Sequence, residues 1–555
     1  LTVMSGADIL IKSLLAENVE VIFGYPGGKV IHIYDLLYES PIKHYLARHE
    51  QGAIHAADGY ARSTGRVGVC IATSGPGATN LVTGLANAYM DSVPVVAFTG
   101  QVATSQIGKD SFQEADIKGI TMPVTKHNYL VTDVNDLAKT IKDAFYIAKT
   151  GRPGPVLIDL PVDVVKAEAE YSYPAESDLP GYKPTYKGHS RQVKLAAEKI
   201  NKAKKPVIFA GGGVIISEAA EELKELALKG NIPVITSLMG LGSFPGDDQL
   251  SLGMPGMHGT RYANYAFCET DLIIAIGTRF DDRVTGRLDK FASQAEVIHI
   301  DIDPAEISKN VEILIPIVGD AKNIVRELLP LIKDKDRKEW LSQIDDWKKS
   351  HPLKYNNNAD EILPQSVIES IYKITEGEAL IVTEVGQHQM WAAQFYKYSK
   401  PRTFFSSGGL GTMGYGLPAA YGVQIGRPDK TVVNISGDGS FQMNLQELAT
   451  ISNYKIPVKT VILNNGTLGM VRQWQELFFE KRYSATMLDN PDFVKLAEAF
   501  GIFALRIEEK EDLLPALNKA FEYEGPVLLD IKVAQEENVF PMVPAGAGIK
   551  DMIGG

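Results

Sequence analysis

Short runs of β-branched and aliphatic residues, each closed by turn-forming residues, alternate with segments of helical periodicity along most of this chain. No other feature narrows the fold as much, because strands joined through helices pair in parallel and need cover on both faces. Runs at 67–72, 95–98 and 156–159 form a first block, those at 206–210, 272–277 and 297–300 a second, and those at 431–435 and 461–463 a third. The chain has 555 residues, and a prior of roughly 150 residues per domain gives three or four units, of which we expect three. Pro174, Pro180 and Pro184 mark one linker, and a loose segment with Asn356-Asn357-Asn358 marks another. We therefore expect an α/β protein with domains at 1–170, 191–335 and 362–535, linkers at 171–190 and 336–361, and a tail at 536–555. Gly154-Pro155-Val156-Leu157-Ile158-Asp159 is echoed by Gly525-Pro526-Val527-Leu528-Leu529-Asp530. That echo suits duplicated topology in the outer blocks, although Gly-Pro before a buried strand is also common punctuation.

Composition excludes several classes of function. A net charge of −12 argues against nucleic acid, whose backbone is gripped by clustered Lys and Arg. Cys70 and Cys268 are the only cysteines, and each lies in an apolar stretch, so they read as buried thiols in a reducing, cytoplasmic setting. No apolar run reaches the ~18 residues of a spanning helix, so no membrane partner is expected. Leu1-Thr2-Val3-Met4 leads almost at once into an amphipathic segment, and no signal or transit peptide is expected in the given sequence.

The chemistry is concentrated in the third block. Gly437-Asp438-Gly439 closes the run at 431–435, and Asn464-Asn465 follows with 24 residues between the two motifs. The glycines allow a tight turn that presents Asp438 at the carboxyl end of one strand, and a second strand delivers Asn465 to the same edge. A carboxylate, an amide oxygen and a nearby backbone carbonyl make a half-shell of hard oxygens for Mg²⁺, which borrows further ligands from phosphates. A lone Gly-Asp-Gly is often only a surface turn. The strand-flanked Asn-Asn at this interval favours the metal reading. In the first block, Arg48-His49-Glu50 precedes a helical segment through Ala53, Ala56, Ala57 and Tyr60, placing Glu50 at a strand-to-helix junction. An acid there is ordinarily a first-turn residue favoured by the helix dipole.

The pair of motifs resembles the diphosphate-binding signature of thiamin diphosphate (ThDP) enzymes, in which Asp438, Asn465 and the Thr467 carbonyl would ligate Mg²⁺. Along nearly its whole length the chain is similar to catalytic subunits of the acetohydroxyacid (acetolactate) synthase family. The similarity is carried by Gly24-Tyr25-Pro26-Gly27-Gly28, Arg48-His49-Glu50-Gln51-Gly52-Ala53, Thr73-Ser74-Gly75-Pro76-Gly77-Ala78-Thr79-Asn80 and Phe112-Gln113-Glu114. It continues through Gly256-Met257-His258-Gly259, Arg279-Phe280-Asp281-Asp282-Arg283, Val385-Gly386-Gln387-His388, Gly414-Tyr415-Gly416-Leu417-Pro418 and Gly469-Met470-Val471-Arg472-Gln473-Trp474. The resemblance implies three doubly wound parallel-sheet domains, binding the pyrimidine of ThDP, FAD, and the diphosphate in turn.

It also implies roles for residues. Glu50 would hydrogen-bond the aminopyrimidine ring and favour the tautomer that removes the thiazolium C2 proton. Val385, Gly386, Gln387 and His388 would meet the diphosphate end, Met413 would support the bent coenzyme, and Gly439, Ser440 and Met470 would add contacts. FAD, structural rather than redox-active, is expected near Arg152, Gly211, Gly212, Gly213, Met257, His258, Arg279, Asp281, Asp301 and Asp320. Arg283 could hold the acceptor carboxylate and Trp474 the extra methyl of 2-oxobutyrate, where one methylene is worth ~0.8 kcal/mol. Gly28, Phe112 and Gln113 would line the other wall and stabilise developing alkoxide charge. The reaction implied is decarboxylation of pyruvate and ligation of the two-carbon unit to pyruvate or 2-oxobutyrate, toward branched-chain amino acids. A homodimer or homotetramer is expected, with a small regulatory subunit as a further partner.

Some positions depart from the family pattern. Lys29 follows the Gly-Gly pair where a small residue is usual, Gln101-Val102-Ala103-Thr104-Ser105 lacks the usual Pro and basic residues, and Pro255 replaces a Leu. The alternatives are another ThDP enzyme, such as pyruvate oxidase, oxalyl-CoA decarboxylase or the FAD-free catabolic synthase, and a non-catalytic flavoprotein scaffold. The tail segment at 541–547 resembles the family's active-site cover, while disorder is the ordinary reading of a terminus.

Overall fold

The computed structural model describes residues 2–356 and 358–554. Leu1 and Gly555, the outer ends of the expected first domain and tail, and Asn357 of the expected second linker lie outside the described residues. Strand β1 (Val3–Ser5) precedes a first sheet of β2 (Val21–Gly24), β3 (Lys43–Leu46), β4 (Gly68–Ala72), β5 (Val95–Gln101), β6 (His127–Leu130) and β7 (Val156–Pro161), and β8 (Glu168–Glu170) returns antiparallel to β1. A central sheet holds β9 (Pro206–Ala210), β10 (Val234–Thr236), β11 (Leu272–Ile276), β12 (Glu296–Asp301) and β13 (Ile315–Val318). The third holds β14 (Leu380–Thr383), β15 (Phe404–Phe405), β16 (Val432–Gly437), β17 (Lys459–Asn464), β18 (Phe503–Ile507) and β19 (Val527–Lys532). All pairings within these three sheets are parallel, as the alternating pattern requires.

The first sheet is ordered β3-β2-β4-β5-β7-β6 and the third β15-β14-β16-β17-β19-β18, one wiring used twice. β7 and β19 hold the same place in it, so the echo between 154–159 and 525–530 falls on equivalent strands. The central order, β10-β9-β11-β12-β13, reverses between β9 and β11. In each sheet the reversal of winding leaves a crevice at the carboxyl ends of the first and third strands, where open α/β sheets bind ligands.

The outer domains are joined directly. The helix Glu50–Thr64 begins at His49, whose Nδ1 accepts the Gln51 N–H, and stops at Gly65 with φ 74°. Its small residues meet the helix Gly416–Gly426 so closely that a Cβ on Gly59 would overlap the Ala419 carbonyl, and one on Gly422 the Ala56 carbonyl. Phe23, Tyr60 and Tyr421 cluster beside this crossing, in a core shared by the two domains.

One expected boundary is corrected. Half of the expected linker at 336–361 is the helix Lys338–Ser350, which buries Trp340 and Ile344 against the central domain, with Trp340 Nε1 donating to the Pro206 carbonyl at 3.1 Å. The sequence marks a charged helical region with Trp340 and Trp347 here, and the expected linker bounds overlap it. The segment at 171–190 runs without helix or strand from the end of β8 to Ser190, where the helix Ser190–Lys202 begins, yet Tyr171, Tyr173 and Tyr182 pack on the first core. The tail is ordered against the central domain: Val543 N–H donates to the Met257 carbonyl at 2.8 Å, and Met542 and Ile549 are buried.

Candidate active site

In the third sheet the crevice lies between β14 and β16. The chain leaves β14 through Glu384, Val385 and Gly386, where Gly386 takes φ 151°, before Gln387 starts a helix to Phe395. β16 ends at Gly437, and Asp438 opens a single helical turn. Asp438 is 1% exposed, and its Oδ2 accepts the Gly466 N–H at 2.9 Å and Asn490 Nδ2 at 2.6 Å. Burial pushes its pKa up, against the pull of those hydrogen bonds, and no basic side chain among the described residues offsets its charge. A buried carboxylate without a cationic partner is costly. A metal ion would remove that cost, so the residues fit one.

The neighbouring donors suit Mg²⁺. Asn465 and Thr467, 9% and 2% exposed, follow β17 at the same edge, giving amide and carbonyl oxygens beside the carboxylate. Asn465 Oδ1 accepts the Thr467 N–H and hydroxyl at 3.1 and 3.0 Å, and its Nδ2 donates to Gln387 Oε1 at 3.3 Å. Gln387 thus ties the end of β14 to that of β17. The Ser440 hydroxyl reaches the Val385 carbonyl at 3.4 Å, across the crevice. His388 is 5% exposed and lies against Gly386 and Gly437, where a Cβ would touch its ring. Its Nε2 is 3.5 Å from Glu384 Oε1, and Glu384 accepts the Gly416 N–H at 2.6 Å and the Ser436 hydroxyl. Met413 lies beside Gly439.

A cavity of about 880 Å³ opens from this crevice to the carboxyl edge of the central sheet, with Val385, Gly386, Met470 and Trp474 at one end. Arg152, Gly212, Gly213, Met257, His258, Arg279, Asp281, Asp301 and Asp320, expected near a flavin, line the rest. Gly211 does not: its N–H donates to the Ile276 carbonyl, and a Cβ there would overlap the Gly277 carbonyl, so it packs the turn after β9. Several charged groups are already engaged. Asp281 caps the turn Asp282–Thr285 through the Arg283 and Val284 N–H groups, Asp320 caps the helix Ala321–Leu328, and Arg152 is paired with Glu306 at 2.8 Å and Asp303 at 3.2 Å. Burial raises Asp301 to about 6 and lowers His258 to about 4. The Arg283 side chain is 65% exposed, with a loose Asp282 contact at 3.9 Å and a contact to the Met257 sulfur at 3.7 Å, which leaves most of its guanidinium available to an anion.

The first-domain residues stand apart from that cavity. Glu50 Oε2 accepts Asn80 Nδ2 at 2.9 Å, and the glycine at Gly77 approaches the same carboxylate. Gly28 has no atom near a would-be Cβ, Gln113 sits at φ 61° against Gly75, and Phe112 is 86% exposed. Glu50, Gly28, Phe112 and Gln113 are thus absent from the lining of the cavity that the third-domain residues share. Sequence reading missed Asn490, which holds Asp438, and Asp91, whose buried carboxylate accepts the Gly408 and Gly409 N–H groups at 2.9 and 2.7 Å and pairs with Arg62 at 3.0 Å. Asn490 falls in the turn sequence Asp489-Asn490-Pro491, a polar signal that gives no hint of its partner.

Two like-wired α/β domains flanking a third, with a buried Asp-Asn oxygen set at the winding reversal, define the class of thiamin diphosphate enzymes. Family models agree: the N-terminal TPP binding domain of thiamine pyrophosphate enzymes matches residues 4–120, their central domain 193–328 and their C-terminal TPP binding domain 384–531. The chain is 54% identical over 558 residues to the acetolactate synthase of Mycobacterium leprae, covering 98% of this chain and 89% of that protein. It is 49% identical over 561 residues to the acetolactate synthase large subunit of Haemophilus influenzae (99% and 98% covered), and 52% over 563 residues to the probable large subunit of Methanocaldococcus jannaschii (99% and 95%). The chain belongs to the acetolactate synthase large-subunit family.

Proposed function

We propose that the protein decarboxylates pyruvate and ligates the two-carbon unit to a second 2-oxoacid, pyruvate or 2-oxobutyrate, in the biosynthesis of valine, leucine and isoleucine. The observation that carries this reading is Asp438, a buried carboxylate at the strand edge with no cationic side chain among the described residues to offset it. A scaffold that had lost its chemistry would have no use for such a charge.

Thiamin diphosphate, when bound, supplies the electron sink for the carbon that loses CO₂. Asp438, Asn465 and the Thr467 carbonyl hold Mg²⁺ and through it the diphosphate, helped by Val385, Gly386, Gln387, His388, Gly439 and Ser440. Met413 and Met470 flank the ring system. Glu50, from a second copy of the chain, bonds the pyrimidine and holds the proton exchanged there. Arg283 takes the acceptor carboxylate and Trp474 its alkyl end, while the Gly28 amide, Phe112 and Gln113 close the opposite wall. FAD occupies the cavity of about 880 Å³ in a structural role. The working form is a homodimer or homotetramer in the cytoplasm, with a small regulatory subunit as partner.

Purified protein incubated with pyruvate, ThDP and Mg²⁺, with and without FAD, tests the reading by product identification. We expect 2-acetolactate, and 2-aceto-2-hydroxybutyrate when 2-oxobutyrate is added. Acetaldehyde or acetate as the sole product overturns it.

A further inference from the structure

The short helical turn Leu445–Glu447 follows the Asp438 turn and leads into the helix Leu448–Asn453. Glu447 is fully buried there, at 0% exposure. Its Oε1 accepts the backbone N–H of Arg48 at 2.9 Å and of His49 at 3.1 Å, and its Oε2 accepts the Thr450 hydroxyl at 2.8 Å. Arg48 and His49 are the two residues before Glu50. Two more bonds reach the same stretch from this helical segment and its end: Tyr454 Oη accepts the Leu46 N–H at 3.0 Å, and the Thr450 hydroxyl reaches the Leu46 carbonyl at 3.2 Å. A Cβ on Gly52 would come within 2.5 Å of Glu447 Oε1, so the first turn of the Glu50 helix makes room for this carboxylate.

One buried side-chain oxygen that accepts two successive amides fixes the turn they belong to, because losing it would leave both N–H groups without that partner. Among the described residues, the Glu50 carboxylate has one side-chain hydrogen bond of its own, from Asn80. We propose that Glu447 is a positioning residue for Glu50: it anchors the Arg48-His49 turn, and so sets where the Glu50 carboxylate stands, without touching coenzyme or substrate. The proposal rests on the role given to Glu50 above. It also means that one run of chain holds the metal at Asp438 and the acid's turn at Glu447.

The test uses holoenzyme with ThDP and Mg²⁺, and reads exchange of the coenzyme C2 proton with deuterated water by quench and NMR, alongside coenzyme affinity and melting temperature. Glu447→Gln keeps an acceptor for both amides and is expected to exchange within about threefold of wild type. Glu447→Ala is expected to lose about tenfold to a hundredfold in exchange and kcat, the scale of a small misplacement of a catalytic group, with coenzyme Kd changed less than threefold. Gly52→Ala displaces the carboxylate without deleting it, and should slow exchange even if Glu447→Ala does not fold. Wild-type exchange in Gly52→Ala or Glu447→Ala overturns the proposal, as does an equal loss in Glu447→Gln and Glu447→Ala that tracks melting temperature. Glu50→Gln separates the two readings. If it exchanges slowly while Glu447→Ala is normal, only the positioning role falls; if it exchanges at the wild-type rate, the Glu50 role falls and this proposal with it.

Discussion

Three acids, two of them buried, carry most of what single residues can be asked to do. Glu50, whose carboxylate accepts the Asn80 amide at 2.9 Å, is the acid we propose to exchange a proton with a bound base. Glu50→Gln keeps the shape and removes that capacity, so acetolactate formation should fall by about a hundredfold to ten-thousandfold, with the circular dichroism spectrum and flavin content unchanged. Asp159 is a second, bonded by the Thr99 hydroxyl at 2.7 Å and Gln101 Nε2 at 2.9 Å, yet raised by burial to about 7. Its unfolded value is roughly 3.9, so between the two pH values the folded chain holds a proton that the unfolded chain has released. Its contribution is therefore full below the lower value and lost as pH rises through the upper. Asp159→Asn should flatten the decline in melting temperature from about pH 4 to about pH 7, an effect on the order of a few kcal/mol. Glu447 is the third. Asp438 and Asn465 were legible in the sequence because each sits in a local motif with a turn and a strand beside it. Glu447 was not, because its amide partner Arg48 lies 399 residues away and only folding brings them together.

At the scale of elements, strands were readable wherever both faces are buried. β11 is Leu-Ile-Ile-Ala-Ile throughout, and parallel pairing follows from such runs. Strand order was not readable, since apolar runs carry no address for their neighbours. The helix Lys338–Ser350 is legible as a charged helical region with Trp340 and Trp347, but its place is not, because nothing in the sequence says that Trp340, Ile344 and Trp347 pack on the central domain. The crossing of Glu50–Thr64 on Gly416–Gly426 was equally hidden, because glycine spacing within a helix does not name a partner. Gly59→Ala and Gly422→Ala each force a methyl group against backbone carbonyl oxygen. Each should cost about 1–3 kcal/mol, read as a lower denaturation midpoint at unchanged slope.

The whole molecule presents a first-domain half-site with Phe112 86% exposed, and a third-domain half-site opening into the central cavity. A chain so divided is expected to work only when a second copy brings the missing half. Specific activity should then fall on dilution in step with the dissociation of dimers seen by sedimentation, and Phe112→Glu should shift both curves to higher concentration. Activity independent of dilution, with monomers present, would remove the shared site. Ligand-free regions of the fold constrain how such a site can open. At Gly59 and Gly422 the seam is main chain against main chain, with no intervening side chain to swing aside. Outer domains fused in this way are expected to move as one jaw, which leaves the central domain and the tail as the parts whose displacement would admit a coenzyme.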